Sequence, residues 1–209
     1  HLSAQALEVV GSLMRPGVST AELDAAAEKC IVEAGGTPAF KGYGGFPATI
    51  CASVNDMVVH GIPSPDVILE DGDVVSIDTG AIVDGWVGDN AETFIVGTHD
   101  KQHQDLLSTT LAAMWAGIDQ AFPGNHLGDV GYAIQKVIED AGFSVIREYS
   151  GHGIGRRMHE PPNVLNYGVP GQGVKLEEGM VIAIEPMAVS GSPRVRTISD
   201  GWGVVTCDG

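Results

Sequence analysis

Apolar residues in the first hundred positions fall into two periods. Between Leu2 and Met14 they keep helical spacing. From Leu23 the set Leu23, Ala26, Ala27, Cys30, Ile31 and Ala34 recurs at i, i+3, i+4, i+7, i+8 and i+11. A stripe of this kind buries one face of a helix against a sheet. Ser19-x-x-Glu22 in front of the second helix is a capping box, and Gly35 stands where a C′ glycine closes it. A Gly/Pro-rich stretch follows, after which the runs Ile50–Val54, Val74–Thr79 and Trp86–Val96 read as strands.

The same plan returns when the chain is slid against itself. Pro16-Gly17 recurs as Pro123-Gly124, 107 positions later, and Val130, Ala133, Ile134, Val137, Ile138 and Ala141 repeat the helical stripe at that offset. An amphipathic stretch from about Leu106 to Phe122 precedes it, and Gly142 answers Gly35. The strand runs are now Val145–Tyr149, Met180–Pro186 and Val195–Ile198. The offset also carries Leu69–Asp78 onto Leu176–Glu185, so two acidic residues end two equivalent apolar strands. Helix and strand keeping one offset argues against chance likeness. The expected fold is α+β, a duplicated α–α–β unit forming one domain over 1–209 with halves of about 1–100 and 101–209. A pseudo-twofold axis would bring both strand ends to one central point, in an antiparallel-type sheet covered by two helix pairs.

Composition narrows the class. The 209 residues, 44% of them hydrophobic, suffice for a core without disulfides. No run approaches the ~18 apolar residues of a membrane span, so no membrane partner is expected. Eleven basic against 27 acidic residues give a net charge of −16, and such a surface repels phosphate backbones, which argues against nucleic acid. Cys30, Cys51 and Cys207 show no CxxC spacing and read as reduced thiols of a cytoplasmic protein. No signal peptide is visible, and the chain opens at His1 inside a helical pattern, as expected of a sequence with a trimmed start.

Asp78 closes the apolar run beginning Val74-Val75, and Glu185 closes Val181-Ile182-Ala183-Ile184. A carboxylate there is costly to bury unless paired or bound to metal, although Asp78 alone would equally suit a strand end facing water. With Asp89, eleven residues after Asp78, they form a hard-oxygen set suited to divalent metals. His152 lies in Gly151-His152-Gly153, where flanking glycines let backbone approach and leave the ring unshielded, so it reads as a ligand. His60 and His159 are further candidates, whereas His1, His99, His103 and His126 sit in polar or terminal surroundings and read as surface. No GxSxG elbow and no GxxxxGK[ST] loop is present, so serine-hydrolase and P-loop chemistries are set aside. Gly42-Tyr43-Gly44-Gly45-Phe46-Pro47 does not open a helix and reads as a loop carrying two aromatics, either packing or functional.

Taken jointly, these motifs resemble the type I methionine aminopeptidases of the pita-bread metallopeptidase fold, M24-like. The resemblance runs in order through Pro16–Thr20, Ser53–Asp56, Val58–Pro63, Asp71-Gly72-Asp73 and Asp84-Gly85-Trp86 to Asp89. It continues through Gly151–His159, Ile184–Met187 and Asp200-Gly201-Trp202. It implies removal of the N-terminal methionine from nascent proteins and peptides by two divalent ions, Co, Mn, Fe or Zn, that activate a water. Asp78, Asp89, His152 and Glu185 match metal ligands, Glu185 also relaying a proton. His60 and His159 match residues that hold substrate and transition state. The methionine side chain would lie among Phe40, Tyr43, Phe46, Cys51, Met158 and Trp202, since a thioether packs well against ring edges and sulfur.

Two departures qualify this likeness. The repeat predicts a further acidic ligand on a strand after Asp200-Gly201-Trp202, where the family has a bridging Glu, but only Asp208 follows, so a C-terminal strand segment is expected to be missing. Gly44 stands where many relatives carry histidine at the pocket rim. The expected partner is a nascent N-terminus, met by a monomer in transient contact with the ribosome. Proline-specific aminopeptidases share the fold but usually carry an extra N-terminal domain. A truncated inactive form or non-catalytic binding module is the remaining alternative, which metal binding would discriminate.

Overall fold

The computed structural model describes residues 1–98 and 100–208, so the reading of His99 lies outside the described residues. The chain opens with helices α1 (Leu2–Leu13) and α2 (Thr20–Glu33). Strands β1 (Thr37–Pro38), β2 (Ile50–Val54), β3 (Met57–Val59), β4 (Val74–Val83) and β5 (Trp86–Ile95) follow. The second half brings α3 (Lys101–Ile118), α4 (Leu127–Asp140), β6 (Ser144–Val145), β7 (Gly151–Gly153), β8 (Glu160–Val164), β9 (Ala188–Val189), β10 (Val195–Thr197) and β11 (Val204–Thr206).

The repeat holds at the level of single hydrogen bonds. Glu22 N donates to Ser19 Oγ at 3.2 Å and Ser19 N to Glu22 Oε2 at 2.9 Å, the capping box that starts α2. At the start of α4, His126 N donates to Asp129 Oδ2 at 2.7 Å, so His126, expected as plain surface, is an N-cap. Both helices end alike: Gly36 N reaches Ile31 O at 2.9 Å and Phe143 N reaches Ile138 O at 3.1 Å, across Gly35 (φ 80°) and Gly142 (φ 85°). The Pro-Gly turns match as well, with Gly17 N on Leu69 O and Gly124 N on Leu176 O. Short strands agree too: Thr37 lies opposite Ile82 in β1–β4, and Ser144 opposite Val189 in β6–β9.

Helix faces and strands close two cores. Leu23, Ala27 and Ile31 of α2 join Ala6, Val10, Ile50, Val75 and Ile77 in the first. Val130, Ile134 and Ile138 of α4 join Ala113, Val145 and Val164 in the second. Each fully buried Ile or Val contributes about 1.5–3 kcal/mol of transfer free energy. The central ladder pairs β4 with β5 antiparallel from Val74↔Ile95 to Val83↔Trp86, with β2 and β1 along the other side of β4.

The second half is less regular than its sequence pattern predicts. Residues 180–186, expected as a strand, form no ladder; Ile182 makes one bridge to Gly153, and Ala183 N donates to His152 O at 2.7 Å. Among the described residues, no strand pairs with 180–186 on the side that corresponds to β5. The run expected from Val145 to Tyr149 pairs only at Ser144–Val145, because the chain then leaves β9 to enter β7. Helix α3 begins at Lys101 rather than near Leu106, since the Asp100 carboxylate accepts from His103 N at 2.9 Å and a polar first turn is invisible to apolar periodicity. No helix among the described residues is long and apolar enough to cross a membrane.

Candidate metal centre

Strand alternation sets two of the carboxylates. Val75, Ile77 and Thr79 of β4 are buried toward the helices, so Asp78 between them projects from the opposite face. Asp89 of β5 lies opposite Gly80, on the same face and one diagonal step away. Gly80 is required, because a Cβ there would stand 2.8 Å from both Ala39 Cβ and the Phe40 ring.

From the other half come His152 and Glu185. A Cβ at Gly151 would meet Ala183 O at 2.2 Å and one at Gly153 would meet Pro161 O at 2.3 Å. Glycine on both sides therefore lets three backbone segments close around His152, which is 5% exposed. Its Nδ1–H donates to Gly153 O at 2.8 Å, so Nε2 faces the carboxylates. Nε2 lies 3.1 Å from Glu185 Oε1 and 3.4 Å from Asp89 Oδ2. Asn166, wholly buried and not singled out in the sequence, donates Nδ2–H to Glu185 O at 2.7 Å and fixes that residue's backbone. Apart from the imidazole, Glu185 Oε1 is buried without a hydrogen-bond partner.

The electrostatics call for positive charge. Burial, then the neighbouring Asp89 and Glu185 carboxylates, hold the Asp78 carboxyl well above its ordinary range. Burial of His152 opposes its protonation, yet hydrogen bonding to Asp89 and Glu185 outweighs this and pushes its pKa up to about 10. Without metal, a proton on His152 partly balances the carboxylates. Ligand atoms of Asp89, His152 and Glu185 lie within 4.8 Å of one another, while Asp78 stands beside this group, outside it. Two carboxylates and an imidazole nitrogen that converge this closely, with hard oxygen donors in the majority, fit a divalent cation that would take the place of the proton.

Beside these ligands lies a patch of sulfur and rings. Phe40, Phe46, Cys51 and Met158 are buried together with Ala39 and Ala48, and Trp202 packs on them edge-to-face with Phe46 at 5.2 Å. Burial, then the Asp78 charge, raises the Cys51 thiol well above its ordinary range, so it behaves as a small apolar group. Tyr43 lies at the rim of this patch: it is 47% exposed, and its Oη is 2.8 Å from His159 Nδ1. The His159 and His152 rings are 4.2 Å apart, and burial followed by the His152 charge lowers the His159 pKa. His60, in a left-handed conformation (φ 61°), is partly buried against Tyr149, and burial lowers its pKa. An open cavity of about 360 Å³ is lined by Ser150, His152, His159, Glu160 and Asn163 among others.

A duplicated α+β fold whose halves bring two carboxylates and an imidazole within metal-binding distance points to a metal-dependent enzyme. The chain matches Metallopeptidase family M24 over residues 1–208 and belongs to that family. Within it, the chain is 47% identical over 205 residues to the methionine aminopeptidase of Clostridium acetobutylicum, covering 98% of this chain and 82% of that protein. The crystal structure of methionine aminopeptidase from Rickettsia prowazekii matches with a TM-score of 0.97 and 42% identity, over 99% of this chain and 84% of that one. Prolidase from Pyrococcus furiosus gives a TM-score of 0.76 at 26% identity, over 88% of this chain but 52% of its own. The fold is thus the pita-bread fold that the resemblance implied, and its two halves are the duplicated α–α–β units expected from the repeat.

Proposed function

We propose that this chain hydrolyses the peptide bond after an N-terminal methionine, in nascent proteins and peptides, at a centre of two divalent ions drawn from Co, Mn, Fe and Zn. The observation that carries the reading is the meeting of Asp89, His152 and Glu185 from opposite halves, within 4.8 Å, next to the buried Phe46–Cys51–Met158 patch. Bound divalent ions supply Lewis acidity and water of lowered pKa. Asp78, Asp89, His152 and Glu185 hold the ions. Glu185 also accepts a proton from the attacking water and returns it to the leaving amine. His159 donates to the carbonyl oxygen as negative charge grows there, and His60 steadies the leaving nitrogen. Phe40, Phe46, Cys51, Met158 and Trp202 enclose the thioether, with Tyr43 at the rim.

The test is release of methionine from a Met-Ala-Ser tripeptide after chelation and re-addition of Mn or Co. Asp89→Ala and His152→Ala each abolish release while circular dichroism stays unchanged. Full activity in either metal-replete variant overturns the assignment of ligands. Metal binding without release supports a non-catalytic module instead.

A further inference from the structure

We propose that Tyr43 is a positioning residue whose phenol donates to His159 Nδ1 and holds that imidazole in the tautomer carrying its proton on Nε2. The inference rests on the aminopeptidase reading, in which His159 must donate a hydrogen bond to the substrate carbonyl. The two residues are 116 positions apart, with Oη 2.8 Å from Nδ1 and ring centroids 5.3 Å apart at 41°. The phenol stands outside the buried apolar patch, where Phe46 already supplies a ring. Wall-building alone leaves the position of its hydroxyl unexplained.

The loop is built to hold this ring's base still. Tyr43 N donates to Phe40 O at 2.9 Å, Phe46 N to Tyr43 O at 2.9 Å and Gly42 N to Phe46 O at 2.7 Å. The turn needs positive φ at Gly42 (87°), Gly44 (58°) and Gly45 (94°), which glycine adopts without strain. Tyr43 is the residue with a side chain in this run of glycines, and the turn sets it at the rim beside His159.

Direction follows from the donors available. A phenol is a good O–H donor whose oxygen lone pairs are drawn into its ring, while a neutral imidazole offers one strong acceptor nitrogen. Tyr43 therefore donates, Nδ1 accepts, and the proton of a neutral His159 sits on Nε2. The neighbouring His152 is oriented the opposite way, because its Nδ1 is committed to the Gly153 carbonyl at 2.8 Å, which turns Nε2 toward the carboxylates. Two rings 4.2 Å apart are thus anchored through Nδ1 to different partners, one turned to offer Nε2 to a cation and one to donate a proton from Nε2.

Tyr43→Phe tests this, since it keeps the ring and removes only the hydroxyl from a half-exposed position. Imidazole ¹⁵N spectra of the zinc-loaded chain, with His159 assigned through His159→Gln, are expected to show a pyridine-type Nδ1 and a pyrrole-type Nε2. In Tyr43→Phe the two nitrogens move toward averaged values. With Met-Ala-Ser, kcat falls about tenfold, below the full contribution of a proton donor because water partly replaces the phenol, while KM stays within about twofold. Unchanged nitrogen shifts with unchanged kcat overturn the proposal, as does a changed KM or methionine-to-leucine ratio at constant kcat, which marks a wall residue. If the unsubstituted chain releases no methionine, the aminopeptidase reading fails, and the nitrogen spectra still decide the tautomer.

Discussion

Asp24 shows how a carboxylate can serve the frame rather than the chemistry. Its Oδ1 accepts from Thr49 N at 2.8 Å and Ile50 N at 2.9 Å, tying α2 to the start of β2. Removing that acceptor orphans two amides, so Asp24→Ala costs about 1–3 kcal/mol in urea melts, while Asp24→Asn keeps the oxygen and most of the stability. Burial raises the Asp24 pKa above 3.8 despite these bonds. The folded state therefore binds the proton more tightly, and the group's contribution to stability falls as pH rises from the unfolded pKa through the folded one. Asp24→Asn gains on the parent chain over that same rise. Equal stability of the Ala and Asn variants would show that the two bonds contribute nothing.

Trp202 tests selectivity at the same scale. Its ring packs on Phe46 at the edge of the buried patch, so Trp202→Ala lowers the preference for Met over Leu peptides by up to about tenfold, the range of a sulfur–aromatic contact between the bound thioether and the ring. Turnover falls less; an unchanged Met-to-Leu ratio removes Trp202 from the pocket. The candidate ligands were legible because Asp78 and Glu185 end matching apolar runs and His152 sits between glycines. Asn166 was not, since an Asn before Tyr167 carries no local sign that its amide will meet Glu185 O. The Tyr43–His159 pair was hidden likewise, joining residues no periodicity links.

Between elements, Arg156 is the clearest clamp. Its guanidinium lies over the Trp86 ring at 3.8 Å, and Nη1 donates to Asp84 O at 2.9 Å. Val87 N donates to Gly155 O at 2.9 Å beside it. Together these bind the β4–β5 turn, three residues before Asp89, to the loop between His152 and His159. Arg156→Ala removes an exposed cation–π contact worth about 0.5–1 kcal/mol, a small loss of global stability. Titration calorimetry is expected to show a several-fold weaker affinity for Mn, with Arg156→Lys intermediate because an ammonium cannot stack as a plane. Equal Mn affinity in all three proteins would make the clamp irrelevant to the ligands. Helices were the most legible elements, since caps and stripe lie within each segment. The run 180–186 was misread because alternation and apolarity report a segment's readiness to pair, while a ladder depends on what lies beside it. Its bridge also departs from the repeat: Ile182 meets Gly153, where the 107-residue offset would put Pro161. The stretch before β7 is shorter than that before β2.

Across the whole molecule the two halves differ in how completely they close. Among the described residues the first core gathers fourteen buried residues against eight in the second, and Leu111, Trp115, Phe122, Val169 and Val181 are all more than half exposed on the second half. The proposed ligands divide between the halves, Asp78 and Asp89 on the ladder of the better packed one, His152 and Glu185 on the weaker. A cation held by both therefore joins segments whose carboxylates otherwise repel within a chain of net charge −16. Binding only to the folded state at a hundredfold excess over Kd adds about 2.7 kcal/mol, or about 5–10 °C in Tm for a chain of this size. Chelation should reverse that gain. The gain should also be uneven: with Mn bound, hydrogen exchange slows at Gly151–Gly153 and Ile182–Glu185, while the β2–β4 ladder, already buried in the first core, changes little. Equal slowing in both halves would show the cation stabilising the molecule as one cooperative unit. No slowing at Gly151–Gly153 would show that His152 does not hold it.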